Sequence, residues 1–210
     1  MPSFLTNLAG GKSIADLKAP RSRRGNTNQV VDYWFGGLVA GGDFESIATT
    51  TVGSGGQATI TFSDIPATYK HLQIRAISRL TNAIGATDVF LRFNSDSAAN
   101  YSYHSLYGNG ASALSVGGGG EANMYPFSTV GTTAGAGTFA VGVADILDYA
   151  DTNKFKTLRA LTGVDYNGAG QLILASGNWR SSSAITTITL TSSTNTFAQY
   201  SQFALYGVKG

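Results

Sequence analysis

The 210-residue sequence contains no cysteine, so neither a disulfide framework nor a thiolate metal site is available to it. Histidine is nearly absent too. His71 and His104 are too few for an imidazole-based metal centre without carboxylate partners. Proline occurs 4 times, and charged residues make up 12% of the chain, about half the usual share of roughly 25%. No run approaches the roughly 18 apolar residues of a membrane helix, so no membrane insertion is expected. Nor is a signal peptide expected: Phe4, Leu5 and Leu8 form no continuous apolar run, and the charges follow it rather than precede it. The chain is expected to be made in a cytoplasm, or released from one.

Glycine is abundant at 27 residues, well above the average share of about 7%. Hydrophobic residues at 42% and aromatics at 11% are ample for a core. The polar surface must therefore be built largely from Ser, Thr, Asn and Gly. So weakly charged an exterior is a solubility risk for a free monomer. It is easier to understand if much of it touches other subunits, and a homo-oligomer is expected.

The net charge of +2 is unevenly distributed. Residues 1–25 hold Lys12, Lys18, Arg21, Arg23 and Arg24 against Asp16 alone, a balance of +4, while residues 26–210 carry −2. These basic residues are too dispersed for a dense nucleic-acid patch, and a protein surface is the expected partner. Ser13–Lys18 can form a short helical turn ended by Pro20. An apolar patch, Tyr33-Trp34-Phe35, follows, and then a glycine-bracketed hinge at 36–42. Residues 1–42 thus read as a docking arm, with Lys12, Arg21, Arg23, Arg24, Tyr33, Trp34 and Phe35 as its contact residues.

From Phe44 the pattern changes to a period of two. Ile60 and Phe62 alternate with Thr59 and Thr61; Leu72, Ile74 and Ala76 alternate with His71, Gln73 and Arg75; Val89, Leu91 and Phe93 follow the same rule. Further apolar sets are Phe139-Val141-Val143, Leu158 with Ala160, Leu172 with Leu174, Ile188 with Leu190, and Phe203 with Leu205. Each set reads as the buried face of a strand. Asn167-Gly168, between two such runs, predicts a hairpin. The stretch 108–136, with Gly117–Gly120 and Gly131–Gly137 around Met124-Tyr125-Pro126-Phe127, reads as a long surface loop, and Ile146–Thr152 as at most one helical turn. Residues 43–210 are therefore expected to be an all-β, antiparallel β-sandwich of jelly-roll type carrying an extended N-terminal arm.

Motifs for chemistry are sparse. Gly10-Gly11-Lys12-Ser13 resembles the end of a phosphate loop, but Thr6 stands where that motif needs glycine. Asn94, Asp96 and Asn100 form one oxygen-rich cluster, and Asp145, Asp148 and Asp151 another. Neither has calcium-loop spacing, and turn-forming side chains explain both. The only glutamates, Glu45 and Glu121, lie far apart in sequence and outside any sugar-cleft context. No catalytic residue, metal or cofactor is expected. Tyr101, Tyr103, Tyr107, Tyr125 and Trp179 are candidates for surface or glycan contact, since aromatic faces stack on sugars and also populate protein interfaces.

Several stretches resemble a domain found in structural proteins of tailed bacteriophages. They are 47–56, Phe62-Ser-Asp-Ile-Pro-Ala-Thr-Tyr-Lys-His-Leu-Gln-Ile-Arg75, Leu91-Arg-Phe-Asn-Ser-Asp96, Asn100-Tyr-Ser-Tyr-His104, 145–159 and the terminal Phe203-Ala-Leu-Tyr-Gly-Val-Lys-Gly210. The resemblance covers about residues 44–210 and leaves out the arm. It implies a non-enzymatic virion protein: a fibre or tail-appendage subunit, or alternatively a capsid-decoration protein. A trimer docked on other virion proteins, with host-surface glycan as a further contact, is the expectation it carries. A carbohydrate-binding module is the other alternative.

Overall fold

The computed structural model describes residues 43–193 and 195–210. The arm with Lys12, Arg21, Arg23, Arg24, Tyr33, Trp34 and Phe35, the Ser13–Lys18 turn and the 36–42 hinge lie outside the described residues.

Four strands lie side by side in the order β1 (Phe44–Thr51), β12 (Gln202–Val208), β3 (His71–Ser78), β8 (Ala140–Leu147). Facing them is a sheet of β2 (Thr59–Phe62), β11 (Ile188–Ser192), β4 (Ala86–Phe93) and β7 (Met124–Val130), in that order. First strand thus pairs with last and second with next-to-last, the wrapping of a jelly roll. Two hairpins interrupt the wrap. β5 (Tyr101–Gly108) and β6 (Ala113–Glu121) enter between β4 and β7; β9 (Lys156–Asp165) and β10 (Gly170–Trp179) enter between β8 and β11. Both add beyond β8, extending the first sheet to eight strands, β1-β12-β3-β8-β9-β10-β5-β6. All named pairings are antiparallel. The chain is therefore an antiparallel β-sandwich of jelly-roll type.

The core follows from alternation. Leu72 and Ile74 of β3, and Phe203 and Leu205 of β12, face Ile60 of β2, Val89, Leu91 and Phe93 of β4, and Ile188 and Leu190 of β11, all essentially inaccessible. Each such side chain contributes about 1.5–3 kcal/mol by leaving water.

The extension follows a different rule. Its inward positions nearest β7 are small: Ala140, Gly142, Ala144, Ala160, Ala175 and Gly177. β7 presses closely against them. A Cβ on Gly142 would stand 2.4 Å from Phe127 Cδ1, and one on Gly177 would stand 2.5 Å from Met124 Sδ. Pro126 is accommodated because β7 is an edge strand whose register with β4 shifts between Val89 and Leu91.

The hairpin at Asn167-Gly168 joins β9 to β10. Both residues have positive φ, 63° and 91°, as a type I′ turn requires, and Tyr166 N–H donates to Ala169 O at 2.9 Å. Two expectations need correction. Residues 108–136 are not one long loop: they contain β6 and β7, and the glycine run of β6 pairs with β5 so closely that a Cβ on Gly117 would meet the His104 ring. Ile146–Thr152 holds no helical turn, since β8 continues to Leu147 and a tight turn at Asp148 (φ 48°) follows.

One charged residue is wholly interior. Lys156 lies on the inward face of β9 with Leu158 and Ala160, and is 0% exposed. Its ammonium donates to Asp151 O (2.5 Å), Lys154 O (2.8 Å) and Ser182 O (3.1 Å), so all three protons are used. Burial lowers its pKa. The lysine ties the turn after β8 to the segment after β10.

Candidate functional site

The five candidate contact aromatics divide into two groups. Tyr101 and Trp179 are core residues, with Trp179 only 2% exposed, which corrects their assignment to the surface. They stack on each other, ring centroids 6.4 Å apart, and Trp179 also packs on Phe93. Trp179 Nε1–H donates to Asp96 Oδ2 at 2.7 Å, and the Tyr101 hydroxyl accepts from Phe93 N–H at 3.0 Å. Burial pushes the Tyr101 phenol up to about 12.

Asp96 also accepts from Asn100 Nδ2 and Ala98 N–H, both at 2.9 Å, and these bonds hold its carboxyl below the ordinary value, Asn100 contributing most. Asn94 Oδ1 accepts from Thr186 and Thr187 N–H, tying β4 to the segment before β11. In the second oxygen-rich cluster, Asp148 is paired with Lys154 (2.5 Å) and Lys70 (2.8 Å), which hold its carboxyl down to about 2. His71 Nδ1 accepts from Asp148 N–H. These side chains fasten turns.

Tyr103, Tyr107 and Tyr125 do come together. Tyr103 and Tyr107 share the inward face of β5, four residues and so about 13 Å apart along the strand. This part of the sheet reaches past the edge strand β7, where its inward face forms one wall of a cleft of about 390 Å³. Val116, Ile173 and Gln171 complete that wall, and Asp88 and Tyr125 form the other. Tyr125 meets Tyr103 edge-on, with centroids 4.6 Å apart, rests against Phe90, and donates its hydroxyl to Glu121 Oε2 at 3.3 Å. Gln171 Nε2 donates to Ser128 Oγ at 2.5 Å. Asp88 has neither hydrogen bond nor ion pair among the described residues. Its crowded setting raises its carboxyl above the ordinary value. No sequence signal could have assembled this cleft, whose residues come from five strands.

The outer face of the eight-stranded sheet holds a second feature. Cross-strand register aligns Leu106 (β5), Leu174 (β10), Leu161 (β9) and Val143 (β8) in one row. Beside it run Leu172 (β10), Gly163 (β9), Val141 (β8) and Ile77 (β3). Six of the side chains are about half in water, from Ile77 at 40% to Leu172 at 60%, and Val143 is partly buried. This inverts the expected orientation of Val141, Val143, Leu172 and Leu174. In these strands Val141, Val143, Leu172 and Leu174 point outward, while Ala140, Gly142, Ala144, Ala175 and Gly177 point inward together with Ile146 and Ile173. The stripe spans five strands, about 19 Å, and its two rows are about 7 Å apart. A polar row borders it: His104, Ser176, Arg159, Asp145 and Gln73, in which Arg159 and Gln73 both bond Asp145.

Glu45 and Glu121 sit on β1 and β6, the opposite edges of the eight-stranded sheet. Seven strand spacings, about 34 Å along the sheet, separate them. Glu45 is occupied with Lys209 and Tyr69, Lys209 contributing most to its lowered pKa. The two cannot serve as a carboxylate pair.

A scan against models of known protein families and a search of the curated proteins each give no match.

Proposed function

We propose that the chain is a non-enzymatic structural subunit of a tailed-bacteriophage particle. In this reading it is a fibre or tail-appendage component, made in the host cytoplasm and carried in the virion. It associates with copies of itself, a trimer being favoured, and docks on other virion proteins through residues 1–42. The observation that carries this reading is the inverted stripe on the outer sheet face. A contiguous stripe of exposed aliphatics across five strands marks a surface suited to being covered.

The energies support association. Fully burying a Leu, Val or Ile is worth about 1.5–3 kcal/mol. The six half-exposed side chains therefore leave about 4–9 kcal/mol per copy to be gained, or about 9–18 kcal/mol where two stripes meet. Ordering two bodies costs about 4–15 kcal/mol. The gain is thus of the size that association requires. The weak overall charge and the jelly-roll wrap agree with the same reading.

Docking is tested on phage particles grown without the subunit and then incubated with purified full-length chain. The expectation is recruitment by the native chain and loss of recruitment by the double variant Trp34→Ala, Phe35→Ala. Undiminished recruitment of that variant would contradict the role given to the arm's aromatics, and failure of the native chain to bind particles would contradict the virion reading.

A further inference from the structure

We infer that the cleft between β5, β6 and β10 on one side and β4 and β7 on the other is a carbohydrate-binding site, with Asp88 accepting sugar hydroxyls and Tyr103, Tyr107 and Tyr125 packing against the ring. The inference is independent of self-association, because none of these residues belongs to the outer stripe.

The lining has the composition that polyols require. A pyranose offers apolar C–H faces and a rim of hydroxyls that both donate and accept. Half-buried tyrosines supply surface for the first, and Asp88, the Gln171 amide and the phenolic hydroxyls supply acceptors and donors for the second. The cleft volume of about 390 Å³ is at the small end of the usual ligand range of roughly 300–1,000 Å³, which suits a terminal sugar or a disaccharide rather than a long chain.

Asp88 is the most telling member. The Asp96 and Asp145 carboxylates both have side-chain partners. The Asp88 side chain lines the cleft with neither a hydrogen bond nor an ion pair among the described residues. That side chain is exposed at the cleft, so both carboxylate oxygens are open to a ligand. Two sugar hydroxyls can bind its two oxygens at once. A quaternary ammonium would also answer the aromatics and the carboxylate. Sugar is favoured because the cleft carries hydrogen-bond donors, the Gln171 amide and the tyrosine hydroxyls, for which a cation has no use.

The test is a glycan array probed with the full-length chain, followed by calorimetric titration of the strongest terminal mono- or disaccharide, with tetramethylammonium titrated in parallel. The native chain is expected to bind at least one glycan. Asp88→Asn, which preserves volume, should weaken that binding about 10- to 100-fold, and Tyr107→Ala should weaken it as well. A control, Tyr200→Ala at an exposed ring outside the cleft, should bind as the native chain does. An unchanged near-ultraviolet circular dichroism spectrum shows that each variant is folded. Absence of any glycan binding overturns the inference. So does glycan binding indifferent to Asp88→Asn, and so does Asp88-dependent binding of tetramethylammonium alone.

Discussion

Replacing Lys156 with methionine removes the one fully buried ammonium among the described residues while keeping a chain of similar length and shape. Three backbone carbonyls, of Asp151, Lys154 and Ser182, then lose their donor at once. An orphaned buried polar group costs about 1–3 kcal/mol, but methionine recovers part of the loss as apolar contact, so the net expectation is about 3–5 kcal/mol of lost stability. With a urea dependence of about 2 kcal/mol per molar, the unfolding midpoint should fall by about 1.5–2.5 M. The assay is equilibrium urea denaturation followed by Trp179, whose indole lies in the same core. A midpoint within about 0.3 M of the native one, roughly 0.6 kcal/mol, would refute the reasoning and show that the ammonium contributes no more than methionine does.

Three further outcomes follow from the same structure. Gly177→Val should destabilise by about 1–3 kcal/mol or more in thermal unfolding, because its Cβ would occupy the place of Met124 Sδ. Asp96 and Asp148 both have folded pKa values below their unfolded ones, so the folded state binds fewer protons in that window. Their stabilisation is complete above the ordinary carboxylate value and is lost as pH falls through the lowered ones, to about 2 for Asp148. Asp96→Ala should therefore cost about 1–3 kcal/mol near neutral pH, by leaving Trp179 Nε1–H without an acceptor, and flatten the acid limb of the stability curve. Asp88 has the opposite sign. Its raised folded pKa means that stability is lost as pH rises from the unfolded value through the folded one, so Asp88→Asn should raise the urea midpoint at neutral pH and leave it unchanged well below the carboxylate range.

Much of the fold was legible from alternation and turn chemistry. Leu72-Ile74-Ala76 and Val89-Leu91-Phe93 place their strands correctly because polar residues dominate the other face, Gln73 and Arg75 in one and Asp88 and Arg92 in the other, and Asn167-Gly168 marks its hairpin because few other pairs tolerate two positive φ angles. β8 and β10 misled because apolar residues occupy both faces, and alternation alone cannot say which face turns inward. β6 was missed because its glycines carry no pattern at all. Trp179 was taken for a surface ring, although the phase of β10 already put it inward with Ala175 and Gly177. Lys156 was equally readable, in step with Leu158 and Ala160 on the buried face of β9. The tyrosine cleft was not, since Asp88, Tyr103, Tyr125 and Gln171 meet only after the two inserted hairpins extend the sheet past β7.

The central claim is that the outer face of the eight-stranded sheet is covered by another copy of this chain. Sedimentation equilibrium of the full-length protein, native against the double variant Leu161→Glu, Leu174→Glu, tests it most directly. The native chain should sediment as an oligomer and the variant as a folded monomer, since two carboxylates in the stripe would have to be desolvated for the faces to meet. A native chain that sediments as a monomer, or a variant that associates as strongly as the native chain, would contradict it.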